Sequence, residues 1–207
     1  MIRSRALPKL FFLLAAACLL ASCAVQPPAP PAGQQPLETL REWRMDGKLG
    51  FRSPEKNGSA WINWVQRHDA YDLRLTGPFG ASATRIQGDS NFAVLSQSGR
   101  DDVYASSGEE LSEWLFGWQF PVAQLVSWVK GLPADAPPPE KIATTPAGLL
   151  DSLQQQGWTL RYSHYRQEGA WVLPGRIQGE KDSYAFTLVI NKWHLPDDVT
   201  AVPPSSP

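Results

Sequence analysis

The sequence predicts a mainly β, α+β fold: a strongly curved antiparallel sheet covered by helices and enclosing a hydrophobic cavity. Three observations carry this. Apolar and polar residues alternate through Tyr71–Leu73–Leu75, Trp158–Leu160–Tyr162 and Phe186–Leu188–Ile190, the period of half-buried strands. Helical spacing occurs in one central block, with strand-like runs before and after it. There is no repeated strand–helix–strand rhythm, so successive hairpins and an antiparallel sheet are expected. Helices that interrupt a meander cover one face of the sheet, and a curved sheet closed in this way can enclose an apolar pocket.

The chain opens with an export signal. Arg3, Arg5 and Lys9 precede an apolar run from Leu10 to Leu19. That run is shorter than the ~20 apolar residues that span a bilayer. Leu20-Ala21-Ser22-Cys23 then matches a bacterial lipobox. A plain secretory signal with a chance cysteine is the alternative, and the Pro-rich stretch that follows favours the lipobox. Residues 1–22 are therefore expected to be a lipoprotein signal peptide. Cys23 is expected to carry thioether-linked lipid and an acylated amine. Residues 23–36 form the lipidated N-terminus and a Pro-rich tether, since Ala24 to Pro36 cannot build a core. The folded domain is expected over 37–195, with a disordered tail over 196–207.

Within the domain, Leu37 to Trp43 predicts one or two helical turns. Strands follow over Met45 to Phe51 and Gly58 to Gln66, separated by a polar turn at Pro54 to Asn57. Further strands are expected around Tyr71, Leu73 and Leu75, over Ala81 to Gln87, Phe92 to Gln97 and Asp102 to Ala105. Ser106 and Ser107 precede Glu109 and Glu110 at capping-box spacing, opening a helix with Leu111, Trp114 and Leu115 that Gly117 can end. Val122, Leu125, Val126 and Val129 make a second helical stripe, opened by Pro121 and closed by Gly131 and Pro133. Ala134 to Pro139 reads as a loop. Leu149 to Gln156 is ambiguous and fits a short helix. Strands return at Trp158 to Tyr162, Gly175 to Gly179 and Phe186 to Ile190.

Composition narrows the function. Cleavage removes three of the 19 basic residues, leaving 16 against 20 acidic ones and a net charge of −4. Such a surface gives no support for nucleic-acid binding. Cys18 lies in the signal and Cys23 is modified, so the mature domain holds no thiol for a disulfide, a metal or catalysis. His68, His164 and His194 are far apart and lack ligand-like partners nearby. No hydrolase, zinc-protease or phosphate-loop motif is present. Neither an enzyme nor a cofactor or metal protein is expected.

Two features stand out. In Leu75-Thr76-Gly77-Pro78-Phe79-Gly80 a large aromatic occupies a turn whose Pro and Gly serve backbone geometry. Phe79 either packs back on the sheet or projects as a hydrophobic wedge, so Pro78, Phe79 and Gly80 are the candidate membrane-insertion loop. Trp114, Trp118 and Trp128 lie in the helical block, either as core or as a lid over a lipid-sized pocket. Candidate cavity residues are Ile62, Trp64, Leu73, Leu75, Trp114, Leu115, Val122, Leu125, Val126, Val129, Phe186, Leu188 and Ile190.

At Leu75 to Gly80, at Ser127-Trp128-Val129-Lys130-Gly131-Leu132-Pro133 and at the closing Ile190-Asn191-Lys192-Trp193, the chain resembles the LolB family of outer-membrane lipoprotein receptors. With the lipobox, the likeness covers nearly the whole mature chain in order. The family turn usually carries Leu where this chain has Phe79, and both are large and apolar. The resemblance implies a half-barrel capped by helices. It implies that a LolA-type periplasmic carrier hands over acylated lipoproteins, which are inserted into outer-membrane lipid on the periplasmic side. Ala24 after Cys23 fits outer-membrane sorting, and a monomer is expected. A buried chain of roughly 14 methylenes is worth on the order of 11 kcal/mol, so such cargo needs an apolar cavity to cross water. Two competing readings remain: a lipid- or partner-sensing envelope lipoprotein with the same half-barrel fold, and an anchored envelope hydrolase.

Overall fold

A computed structural model of the chain describes residues 35–77, 83–116 and 118–196. The expectations for Cys23, the tether, the tail, Gly117 and the Pro78-Phe79-Gly80 loop lie outside the described residues. None of the described helices is long and apolar enough to cross a membrane.

Among the described residues, eleven antiparallel strands form one sheet. The first half runs β1 (Glu42–Arg52), β2 (Asn57–Arg67), β3 (Ala70–Thr76), β4 (Thr84–Gly88), β5 (Ala93–Gln97) and β6 (Val103–Ala105). Two helices follow, α1 (Gly108–Phe116) and α2 (Val122–Trp128). The chain then makes β7 (Lys141–Thr144), β8 (Leu150–Gln155), β9 (Trp158–Ser163), β10 (Arg166–Glu168), β11 (Trp171–Leu173), β12 (Arg176–Lys181) and β13 (Tyr184–His194). The order across the sheet is β6-β5-β4-β3-β2-β1-β13-β12-β9-β8-β7, and β10 and β11 pair separately. The first and last long strands thus meet at the centre. The sheet is not closed: β6 and β7 are its edges, and the helical segment connects one edge to the other. That connection lays both helices over a single face, as the expected fold class requires.

The inward face follows the predicted period. Trp43 and Met45, Ile62 and Trp64, Leu73 and Leu75, Leu160 and Tyr162, and Phe186, Leu188 and Ile190 are all buried in one core cluster with residues of both helices. Trp43 packs against Trp64 at 5.0 Å and Trp193 at 5.4 Å between ring centroids. Between Met45–Trp193 and Gly47–Ile190 the register slips, leaving Asn191 as an extra residue in β13. A Cβ at Gly47 would lie 2.4 Å from the Val189 carbonyl oxygen, so only glycine fits there.

On the other face of β1, Asp46 accepts hydrogen bonds from Asn63 (2.6 Å) and from His194 Nε2 (2.7 Å), and Arg44 Nη2 lies 2.9 Å from His194 Nδ1. Burial pulls the Asp46 carboxyl upward, but those two bonds and the charges of His194 and Arg44 together hold it below its ordinary value. The three histidines lie in separate places: His194 here, His68 beside half-buried Glu42 at 3.2 Å, and His164 beside Ser163.

Three local expectations are corrected. Leu149 to Gln156 is not a helix but β8, which turns into β9 through Gln156 and Gly157. Their φ values of 55° and 74° match a two-residue hairpin. Helical structure near Leu37 is one short 3-10 turn, Leu37–Thr39, before β1 begins. The third correction concerns Trp114. Gly108, Leu111 and Ser112 are the buried positions of α1, and Trp114 lies about a third of a turn away from their centre, 70% exposed. Ser112 occupies the inward face because its hydroxyl is satisfied by backbone: it donates to Glu109 O (2.7 Å) and accepts from Phe120 N (2.6 Å).

Candidate functional site

Between the sheet and the helices lies an apolar cavity of about 50 Å³. Its sheet wall comes from β1 (Leu49, Phe51), β2 (Ile62, Trp64), β3 (Tyr71, Leu73, Leu75), β4 (Ile86) and β13 (Phe186, Leu188). Its cover comes from α1 (Gly108, Ser112), the connection between the helices (Trp118, Phe120) and α2 (Val122, Leu125). The strand period puts these sheet residues on one face, and long β1 and β13 carry that face across the centre of the sheet.

The cover is built as one piece. Ser107 Oγ accepts the Glu110 N–H (3.3 Å), while the Glu110 carboxylate takes hydrogen bonds from the N–H (3.0 Å) and Oγ (2.9 Å) of Ser106. Those bonds hold the Glu110 carboxyl below its ordinary value. Glu109 reaches from α1 to accept the Ala123 N–H at the start of α2 (2.7 Å). Trp118 and Phe120 pack edge-on at 4.9 Å, and Phe120 meets Phe186 of the sheet at 5.1 Å.

At its far end, α2 is pinned. Trp128 Nε1 donates to Gln155 Oε1 on β8 at 2.8 Å. Leu132 N and Gly131 N bond back to Ser127 O and Trp128 O, with Gly131 at φ 82°. The next side chain, Lys130, is buried and donates to the Leu40 carbonyl at 3.1 Å. Burial lowers its pKa.

Of the residues proposed from sequence, Ile62, Trp64, Leu73, Leu75, Val122, Leu125, Phe186 and Leu188 line this cavity. Ile190 and Val129 lie in the surrounding core, and Val126 packs partly buried against it. Trp114 and Leu115 line a different, outer groove with Leu95, Gln97 and Val103, so Trp114 is no part of the cavity wall. Trp118, read from the sequence as core or lid, lines it as well, whereas sequence reasoning missed Leu49, Phe51, Tyr71, Ile86, Gly108, Ser112 and Phe120 as wall residues. Alternation already placed Tyr71 with Leu73 and Leu75. Phe120 lies between the helical stripes, where no periodicity marks it.

The family model described as Outer membrane lipoprotein LolB matches residues 41–193. This chain belongs to the LolB family. The outer-membrane lipoprotein LolB of Cellvibrio japonicus is 43% identical over 195 residues, covering 90% of this chain and 96% of that protein. The LolB of Stutzerimonas stutzeri is 39% identical over 155 residues, 75% of each chain. A LolA superfamily protein from Nitrosomonas europaea has a solved structure that aligns over 81% of this chain and 91% of its own, at 9% identity and a TM-score of 0.48. LolB membership places the chain among the outer-membrane lipoproteins of the lipoprotein-localisation pathway, as the motifs implied. The family is one of transport proteins, not of enzymes.

Proposed function

We propose that this LolB-family protein takes acylated lipoproteins from a LolA-type periplasmic carrier into the cavity beneath α1 and α2 and inserts them into the outer membrane. The observation that carries the reading is the cavity itself: an apolar wall of sheet residues facing a cover tied into one body and pinned at one end. That wall is almost wholly apolar, a surface that buries hydrocarbon favourably. The cover swings away from the sheet to admit and release cargo, with the Trp128–Gln155 end as its fixed point. Lipid on Cys23 holds the protein at the membrane, and Phe79 acts at the final step. An exposed Phe that buries its ring in lipid contributes about 1.5–3 kcal/mol, too little to anchor but enough to orient the opening.

The test is a two-stage transfer from a carrier–lipoprotein complex to the full chain and then to liposomes. The parent completes both stages. Phe79→Glu still accepts cargo, but insertion falls by at least an order of magnitude, on the order of the membrane contribution lost. Phe79→Leu behaves as the parent. A parent that takes no cargo refutes the receptor role, and Phe79→Glu inserting at the parental rate refutes the wedge.

A further inference from the structure

We propose that the Tyr71 hydroxyl and the Trp118 indole N–H donate hydrogen bonds to carbonyl oxygens of the acyl esters or amides that enter the cavity. This rests on the acyl-binding reading above and names the polar part of the ligand. Both residues line the cavity. They are 8% and 7% exposed, respectively. Among the described residues, neither Tyr71 Oη nor Trp118 Nε1 has a hydrogen-bond partner. Trp43 Nε1, Arg44 Nε, Tyr162 Oη and Trp171 Nε1 are unpaired too, but of these described residues only Tyr71 and Trp118 line the cavity, and with the cover closed neither donor atom is exposed to it. Ser112, on the same wall, has its hydroxyl engaged on both sides by backbone. Where the wall needs only a ring the chain uses Phe51, Phe120 and Phe186. A site for hydrocarbon alone has no use for an O–H or N–H. A fatty ester or amide does, because its carbonyl leaves water as the chain is buried and is costly to leave unpaired.

The position of Tyr71 fits an acyl head. Its ring runs from β3 past Gly88 of β4 to Gly108, the first residue of α1. A Cβ on Gly88 would lie 2.7 Å from Oη, and one on Gly108 2.8 Å. The same Gly108 position touches Val122, the first residue of α2. The hydroxyl thus marks the seam where both helix starts meet the sheet. A chain lying in the cavity with its head at this seam presents its carbonyl to Tyr71. Burial, with Glu109 and Asp89 nearby, pushes the hydroxyl up to about 12, so it remains a donor at neutral pH. Trp118 supplies a second donor from the cover, held among Phe120, Trp158 and Tyr184 at 4.9–5.5 Å.

The test uses the purified full chain with anilinonaphthalene sulfonate bound, displaced either by methyl hexadecanoate or by 1-methoxyhexadecane, a similar chain without the carbonyl. The parent prefers the ester by roughly three- to tenfold, the worth of one or two net hydrogen bonds. Tyr71→Phe lowers that preference, and Tyr71→Phe with Trp118→Phe brings it to about one. Tyr71→Phe also melts no lower than the parent, because it deletes an unpaired group. An unchanged ester preference in Tyr71→Phe overturns the proposal, whether or not the double variant folds. So does a clearly lower melting temperature for Tyr71→Phe, which would make the hydroxyl structural. If neither ligand displaces the dye, acyl binding itself fails, and the proposal fails with it.

Discussion

Gln155→Leu is expected to remove about 3–5 kcal/mol of stability, because it breaks a fully used buried amide and strands its partners. Gln155 Oε1 accepts from Trp128 Nε1 at 2.8 Å and from Ala134 N at 2.9 Å. Its Nε2 donates to Ala134 O at 2.8 Å and Pro137 O at 2.6 Å. Two acceptor sites and two N–H groups exhaust the side chain. Leu has similar bulk but pairs with none of them, so a buried indole N–H and backbone groups are left without partners. A domain of this size should lose on the order of 10 °C in melting temperature. The cooperative unfolding midpoint in urea checks it, and a midpoint near the parent's would show that the network is not a main fastener of α2. Trp128→Phe removes one of the four bonds and should cost clearly less. In the Gln155→Leu background its added cost should shrink further, since their shared bond is already gone.

Gly179→Val is expected to abolish most acyl binding while lowering stability by only about 1–3 kcal/mol, the usual range for overpacking. Gly179 of β12 faces inward opposite Phe186 of β13. A Cβ there would lie 2.1 Å from the Phe186 ring. Phe186 is held on other sides by Phe120 at 5.1 Å and Trp158 at 5.5 Å. The open direction for its ring is the cavity that it lines. A displaced ring then occupies the volume that a chain must enter. Gly179→Val with Phe186→Ala restores the space, so the double variant should regain binding that the single one lacks. A fluorescent fatty-acid titration reads this, and equal binding by Gly179→Val and the parent contradicts it.

Most of the sheet was legible in the sequence because half-buried strands write a period of two. Tyr71, Leu73 and Leu75 announce β3, and Trp158, Leu160 and Tyr162 announce β9. What stayed illegible was burial that a polar residue can earn through hydrogen bonds. Gln155 sits in a run of three glutamines, yet it is buried and makes four hydrogen bonds, and that polar run hides the strand period of β8. Ser112 likewise took the inward place on α1 that the stripe assigned to Trp114. The short strands β7, β10 and β11 carry too few residues to show a period. Their positions depend on pairing with β8 and with each other, which local sequence does not encode.

The central claim is that cargo acyl chains lie between the sheet and the two-helix cover. Photo-crosslinking tests it most directly. Benzoylphenylalanine replaces Phe51, which lines the cavity, or Trp61, which is 54% exposed on β2. Each full-length variant receives acylated lipoprotein from a LolA-type carrier and is irradiated before liposomes are added. The account predicts an adduct to the lipoprotein's acyl-bearing N-terminal peptide from position 51 and little or none from position 61. Adducts confined to position 61, or absent from position 51 when transfer has occurred, would place the cargo outside the cavity and contradict it.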